Sequence, residues 1–211
     1  MIETIRRKIP QEEFDYQTLM NCLDDYARPR DKITALLRKK AIIRVKKGIY
    51  VFGDNYRKRP YSREILANLI FGPSYISLDY ALQYYGLIPE RVETVTSVTT
   101  GRSRRFPTPT GLFYYRMIPL KAFRIGMDRI EIGDGRAFLI ATPEKALSDK
   151  LYSSKGINLK TRKDMSGYLE NELRIELVDL KQFNPDILDA AALGYRSKKL
   201  KILSNLIRFM N

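Results

Sequence analysis

The stretch "KKAIIRVKKGIYVF", Lys39 to Phe52, decides how the N-terminal part of the chain folds. Apolar and basic residues alternate from Ile43 to Lys46, which is typical of a β-strand with one apolar and one basic face. Gly48 offers the positive φ that a tight hairpin turn needs, and the four residues after it would form the return strand. The stretch therefore predicts a short β-hairpin with cations on one face.

A basic amphipathic helix is predicted directly before the hairpin, in "RPRDKITALLRKKA". Pro29 suits the first turn of this helix, where a missing N–H group costs nothing. Ile33, Leu36 and Leu37 recur at helical spacing and give the helix an apolar side. The opposite side is basic, so we expect the helix to pack through its apolar side and to expose its cations.

The N-terminal elements together predict a winged helix-turn-helix domain over residues 1–59. Two earlier segments, "IETIRRKI" and "DYQTLMNCLDDYA", have helical features, and Asp15 is a suitable N-cap for the second. Three helices followed by a hairpin is the order of elements in that domain. Residues 60–211 predict a second domain, mixed α/β to about residue 152 and mainly helical after it, so the predicted fold class is α+β.

Three kinds of local pattern support the second domain. "VETVTSVTT" and "LFYYRMI" are rich in β-branched and aromatic residues and are predicted as strands. "GRSRRFPTPTG" is predicted as a basic turn or loop. "TPEKALSDKLYS" is predicted as a helix with Thr142 as N-cap and Pro143 at its first position.

Composition restricts the function. The chain has 211 residues, a formal net charge of +14 and a pI near 9.8, which favours a polyanionic partner such as nucleic acid. It has no histidine, which excludes Ser-His-Asp and Cys-His catalysis and HExxH zinc sites. Cys22 is the only cysteine, so an internal disulfide is impossible and a reducing cytoplasm is expected. No run of 18 apolar residues predicts a membrane span, and no metal or cofactor is expected.

The helix and hairpin carry the strongest candidate site, a cluster of cations with only one nearby acid, Asp31. A recognition helix enters the major groove, where contacts to base edges discriminate sequence and cations on phosphates provide affinity. We expect Lys32, Arg38 and Lys39 to reach the groove, whereas the hairpin cations would contact phosphates. The alternative is a solvated helix face without a partner. The candidate DNA-binding residues are Arg28, Arg30, Lys32, Thr34, Arg38, Lys39, Lys40, Arg44, Lys46 and Lys47.

Arg102, Arg104 and Arg105 form a possible second basic site, in "GRSRRF". These arginines could bind the phosphate of a nucleic acid or a nucleotide, although the segment lacks the spacing of a P-loop. An RNA- or protein-binding regulator that uses this segment is one alternative function.

A metal-dependent nuclease targeted by the winged helix is the other alternative. Its catalytic carboxylates would be drawn from the acids near the predicted strands, with a lysine nearby. At the start of the "TPEKALSDKLYS" helix, capping explains the acid and the lysine equally well, and we do not expect an enzyme. The residues considered are Asp128, Glu131, Asp134, Glu144, Lys145 and Lys150.

Several segments of the chain resemble the AbiEi antitoxins of type IV toxin–antitoxin systems, which are linked to abortive infection by phage. The matching pieces are "YISLDYALQYYGLIPE", "VTTGRSRRF", "GLFYYR" and "IATPEKALSDKLY", in the order and at the spacing of the family. "KKGIYVF" is also similar to the family's wing. The match covers about residues 46–152, half of the chain.

The resemblance implies an N-terminal winged helix-turn-helix and a C-terminal antitoxin domain. It implies a transcriptional repressor that binds inverted repeats in double-stranded DNA at its own promoter. It also implies an antitoxin that counteracts a nucleotidyltransferase-like toxin without a stable complex. By this resemblance DNA binding falls on Arg28–Lys47. The antitoxic function falls on the domain that contains Leu78–Glu90 and Gly101–Phe106.

Overall fold

The computed structural model describes residues 1–210, which adopt a mixed α/β fold with two β-sheets. The N-terminal elements are α1 (Ile2–Lys8), β1 (Glu13–Asp15), α2 (Tyr16–Asn21), α3 (Pro29–Arg38), β2 (Ile42–Lys46) and β3 (Ile49–Phe52). The elements of the middle part are α4 (Arg63–Ile70), β4 (Ser74–Ile76), α5 (Leu78–Tyr84), β5 (Val95–Thr99), β6 (Arg104–Thr108), β7 (Gly111–Met117), α6 (Leu120–Phe123), β8 (Met127–Glu131) and β9 (Ala137–Ala141). The C-terminal elements are α7 (Pro143–Ser153), α8 (Arg162–Asn171), a 3-10 helix (Leu177–Gln182), α9 (Pro185–Tyr195) and α10 (Lys198–Met210). Within residues 1–210, every helix is too short or too polar to span a lipid bilayer.

The N-terminal helices pack on one face of a three-stranded antiparallel sheet with the order β1-β3-β2. The predicted cap of α2 is confirmed, because the Asp15 carboxylate accepts a hydrogen bond from the Thr18 backbone at 2.7 Å. Ile33 and Leu36 of α3 are buried in this core, as their spacing predicts. Strand β1 was not predicted. It is only three residues long and is stabilised by its pairing with the distant β3.

The predicted hairpin forms, and Gly48 in its turn has a φ of 89°. A bulge lies between Arg44 and Lys46, so that Arg44 pairs with Tyr50 and Lys46 pairs with Ile49. Paired residues share a face of the sheet, and a bulge reverses the alternation of the strand that contains it. Arg44 and Lys46 therefore lie on opposite faces, and the prediction that they share one face is wrong.

Each face of the hairpin packs against a different hydrophobic core. Tyr50 and Phe52 belong to the N-terminal core, together with α1, α2 and α3. Val45 and Val51 belong to the larger core, which is built around the second sheet. The hairpin therefore lies between the two cores and is buried on both faces.

The larger sheet has the strand order β6-β7-β5-β4-β9-β8. Strand β5 runs parallel to β7 and β4 runs parallel to β9, whereas the other neighbours are antiparallel. The prediction of a loop at "GRSRRFPTPTG" is wrong in its central part, since Arg104–Thr108 pairs with β7 as strand β6. Pro107 is tolerated there because β6 lies at the edge of the sheet, where a missing N–H group leaves no neighbour unpaired.

The C-terminal part is mainly helical, as predicted, and its helices join the larger core. Thr142 caps α7 by accepting a hydrogen bond from the Lys145 backbone at 3.4 Å, and Pro143 lies in the first turn. Ser77 precedes α5 but its side chain does not cap the helix, and its hydroxyl donates to Asp149 at 2.7 Å. The sheet and the C-terminal helices thus form one packed body.

Candidate nucleic-acid interface

Helix α3 exposes a polar face that is opposite to its contact with the N-terminal core. Arg30, Thr34 and Arg38 are spaced four residues apart on the exposed side, and Lys39 follows at the C-terminus. The helix begins at Pro29, as predicted, and its buried Ile33 and Leu36 determine which side faces outward. The face is therefore fixed by the packing of α3 and not by its charged residues.

The cations of this face are not neutralised by the protein itself. Within residues 1–210, the cations of α3 and of the hairpin have no carboxylate within 4.0 Å of their charged groups, although thirteen ion pairs form elsewhere. Cations without internal partners are available to a polyanion, and Asp31 is the one acid of α3, exposed in its first turn. The exposed candidates are Arg28, Arg30, Thr34, Arg38, Lys39, Lys40, Arg44 and Lys47.

Lys32 is the least exposed of the three residues that we expected to reach the groove. Its ammonium lies 5.3 Å from the centroid of the Tyr26 ring, and its side chain is half-buried. Arg38 and Lys39 are free of such contacts among the described residues. The hydroxyl of Thr34 donates to the carbonyl of Arg30 at 3.1 Å, so in this conformation its proton is used within the helix.

The backbone just after α3 is hydrogen-bonded to the residue that follows strand β3. The backbone N–H of Gly53 donates to the carbonyl of Ala41 at 3.0 Å, and a Cβ at Gly53 would overlap the carbonyl oxygen of Lys40. Lys40 itself has a φ of 54°, which ends the helix. The close approach at Gly53 therefore sets the angle between the exposed helix and the hairpin.

Lys46 differs from the other candidate DNA-binding residues because its ammonium is engaged inside the protein. Its ammonium donates to the carbonyl of Ile70 at the end of α4, at 2.6 Å, and lies 4.4 Å from the centroid of the Phe106 ring. Burial lowers the pKa of Lys46, and the nearby charge of Arg104 lowers it further. The bulge next to Lys46 turns the side chain toward the larger core, which the alternating pattern of the sequence did not indicate.

The second basic site lies on and beside the edge strand β6. Arg102 lies in the segment before the strand, and Arg104 and Arg105 are its first two residues. All three side chains are exposed. The sequence placed them together as one group, but consecutive residues of a strand lie on opposite faces, so Arg104 and Arg105 are separated.

The carboxylates of the nuclease alternative do not converge. Glu131 pairs with Arg129, Asp134 pairs with Arg59, and Glu144 accepts from the backbone of Asn184 at 2.9 Å. Within the described residues, no group of three or more acidic, histidine or cysteine side chains is arranged to hold a metal ion. No observation therefore favours this alternative.

A buried polar network around Lys145 and Asp149 was not predicted. The Lys145 ammonium pairs with the Asp149 carboxylate and donates to the Tyr195 hydroxyl at 3.0 Å, and the Ser77 hydroxyl donates to Asp149 at 2.7 Å. Burial lowers the pKa of Lys145, against the opposing effect of Asp149. The side chains of Lys145 and Asp149 are fully buried, so the network joins α5, α7 and α9 and does not form an accessible site. A lysine and an aspartate four residues apart usually lie on the exposed surface of a helix. Here both are buried by the packing of α9, which the local sequence does not indicate.

Cys22 is a buried member of the N-terminal core. Burial raises the pKa of its thiol, which disfavours the reactive thiolate. Cys22 therefore acts as a small apolar residue of this core.

Comparison of the sequence with models of known protein families gives no match, and comparison with curated protein sequences gives none either.

Proposed function

We propose that the protein is a DNA-binding transcriptional autorepressor and an antitoxin of a type IV toxin–antitoxin system. In this proposal the N-terminal elements form a winged helix-turn-helix, in which α3 is the recognition helix and the β2–β3 hairpin is the wing. The supporting order is three helices followed by a hairpin, with β1 as an additional strand. The cytoplasm is the proposed location, and no catalytic role is proposed.

One observation carries the DNA-binding part of the proposal. Arg38 of α3 and Lys39 after it are exposed without ion-pair partners among residues 1–210, while the apolar side of α3 is buried in the core and the backbone after its end packs against Gly53. A helix in the major groove needs such a presentation, because base contacts require side chains that project from a fixed backbone. The net charge of +14 adds a long-range attraction to DNA.

DNase footprinting on the region upstream of the gene tests this part. The wild-type protein should protect an inverted repeat at moderate salt. Arg38→Ala should cost about 1–3 kcal/mol on that operator if it contacts a base edge, with a smaller loss on unrelated DNA. Arg129→Ala is the matched control, since Arg129 is exposed on β8, at the opposite edge of the larger sheet from β6. Absence of any protected repeat would refute the proposal.

The antitoxin part rests on the resemblance of "YISLDYALQYYGLIPE", "VTTGRSRRF" and "IATPEKALSDKLY" to the AbiEi antitoxins. A nucleotidyltransferase encoded beside this gene would be the proposed toxin. Its expression alone should stop growth, and co-expression of this protein should restore it without co-purification of the two proteins. Failure of rescue would refute the antitoxin part and leave DNA binding as a separate question.

A further inference from the structure

We propose that DNA bound to α3 and the hairpin also contacts the edge strand β6 of the second sheet, through Arg104 and not through Arg105. This inference rests on the proposed DNA binding and adds a phosphate contact from outside the winged helix. Its partner is the sugar-phosphate backbone of duplex DNA.

The faces of β6 are assigned by its pairing with β7. Arg104 pairs with Tyr115, and Phe106, two residues further on, lies on the same face as Arg104. Tyr115 is fully buried, and its hydroxyl donates to the carbonyl of Ala67 in α4 at 2.6 Å. Arg104 therefore belongs to the face of the sheet that packs on α4.

The hairpin docks on that same face. Phe71, Phe106 and Tyr115 form an aromatic cluster with ring centroids 5.3–5.8 Å apart, and Lys46 lies over the Phe106 ring. Lys46 is the last residue of β2, and the exposed Lys47 follows it in the hairpin turn. The charge of Arg104 is close enough to Lys46 to lower the pKa of its ammonium.

Arg104 and Lys47 thus extend the basic surface of the hairpin onto the second sheet. Among the described residues, neither cation has a carboxylate partner within 4.0 Å, so both remain available to phosphates. Arg105 pairs with Tyr114 on the opposite face of the strand, away from the hairpin. The two neighbouring arginines therefore differ in direction but match in residue type, strand and exposure.

The test compares Arg104→Ala with Arg105→Ala by fluorescence anisotropy on a mixed-sequence duplex and on the upstream region of the gene. Loss of one phosphate contact lowers the slope of log K against log salt by about 0.9, so the ratio of wild-type to Arg104→Ala affinity should fall about 3.5-fold between 50 and 200 mM salt. Arg105→Ala should retain the wild-type slope, and Arg104→Lys should retain most of the affinity. Thermal melting should be unchanged in all three variants, since both side chains are exposed and unpaired.

The outcomes separate this inference from the proposed function. Equal slopes for the wild type and both alanine variants would overturn the contact at Arg104 while leaving binding by α3 intact. Equal losses for Arg104→Ala and Arg105→Ala would show an effect of net charge and would also overturn the inference. If the wild type binds neither duplex, the proposed function itself fails.

Discussion

Replacement of Lys145 by methionine should destabilise the protein strongly, because it leaves the Asp149 carboxylate buried without a counter-ion. Both side chains are fully buried, and the remaining donors to Asp149 are the hydroxyls of Ser77 and Tyr195. Breaking a buried pair by removal of one partner costs about 3–5 kcal/mol. With about 2–4 °C per kcal/mol for a chain of this size, Tm should fall by about 6–20 °C.

Chemical denaturation followed by circular dichroism measures this loss as a change in the free energy of unfolding. The double variant Lys145→Met/Asp149→Leu removes both charges, and it should recover much of the stability because no unpaired charge remains. Arg129→Ala is the control for an exposed pair, since Arg129 pairs with Glu131 at the surface and should cost no more than about 1 kcal/mol. A Lys145→Met variant as stable as Arg129→Ala would refute the reasoning, and so would a double variant less stable than the single one.

Three further changes test the N-terminal elements. Gly53→Ala should cost about 1–3 kcal/mol of stability, because the new methyl group overlaps the Lys40 carbonyl and displaces the end of α3. The variant should also bind DNA more weakly. Unchanged binding would show that α3 keeps its angle to the hairpin. Asp15→Ala should cost about 0.5–2 kcal/mol through loss of the α2 cap, as measured by urea titration. Hydrogen bonds hold the folded pKa of Asp15 below its usual value, so its contribution is present at neutral pH and is lost as the pH falls through the folded pKa, whereas Asp15→Asn should lack this acid dependence. Lys46→Met should lower stability by about 1 kcal/mol through loss of the hydrogen bond to the end of α4. It should leave the salt slope of DNA binding unchanged, since the Lys46 ammonium already binds inside the protein. A reduced slope would show that Lys46 contacts DNA.

Local signals were sufficient for the elements on which the DNA-binding proposal depends. Pro29 marks the start of α3, the spacing of Ile33 and Leu36 gives its buried side, and Gly48 marks the hairpin turn. Each of these signals acts over a few residues, so it can be read without knowledge of the rest of the chain.

The errors of the sequence analysis have long-range causes. Strand β1 exists because it pairs with β3, more than thirty residues away. Strand β6 contains two arginines and a proline, a composition that a strand tolerates only at the edge of a sheet. The bulge before Lys46 lies beside the larger core, to which Val45 belongs, and no pattern around residue 46 reveals that core.

The two-sided burial of the hairpin has a consequence for how the chain can be divided. A fragment cut after residue 59 would expose Val45 and Val51 to water, and the lost burial of two valines is worth about 3–6 kcal/mol. That amount is a large share of the stability of a small domain. We therefore expect the full chain to melt in a single cooperative transition. A soluble, isolated N-terminal fragment would first need polar replacements at these two positions.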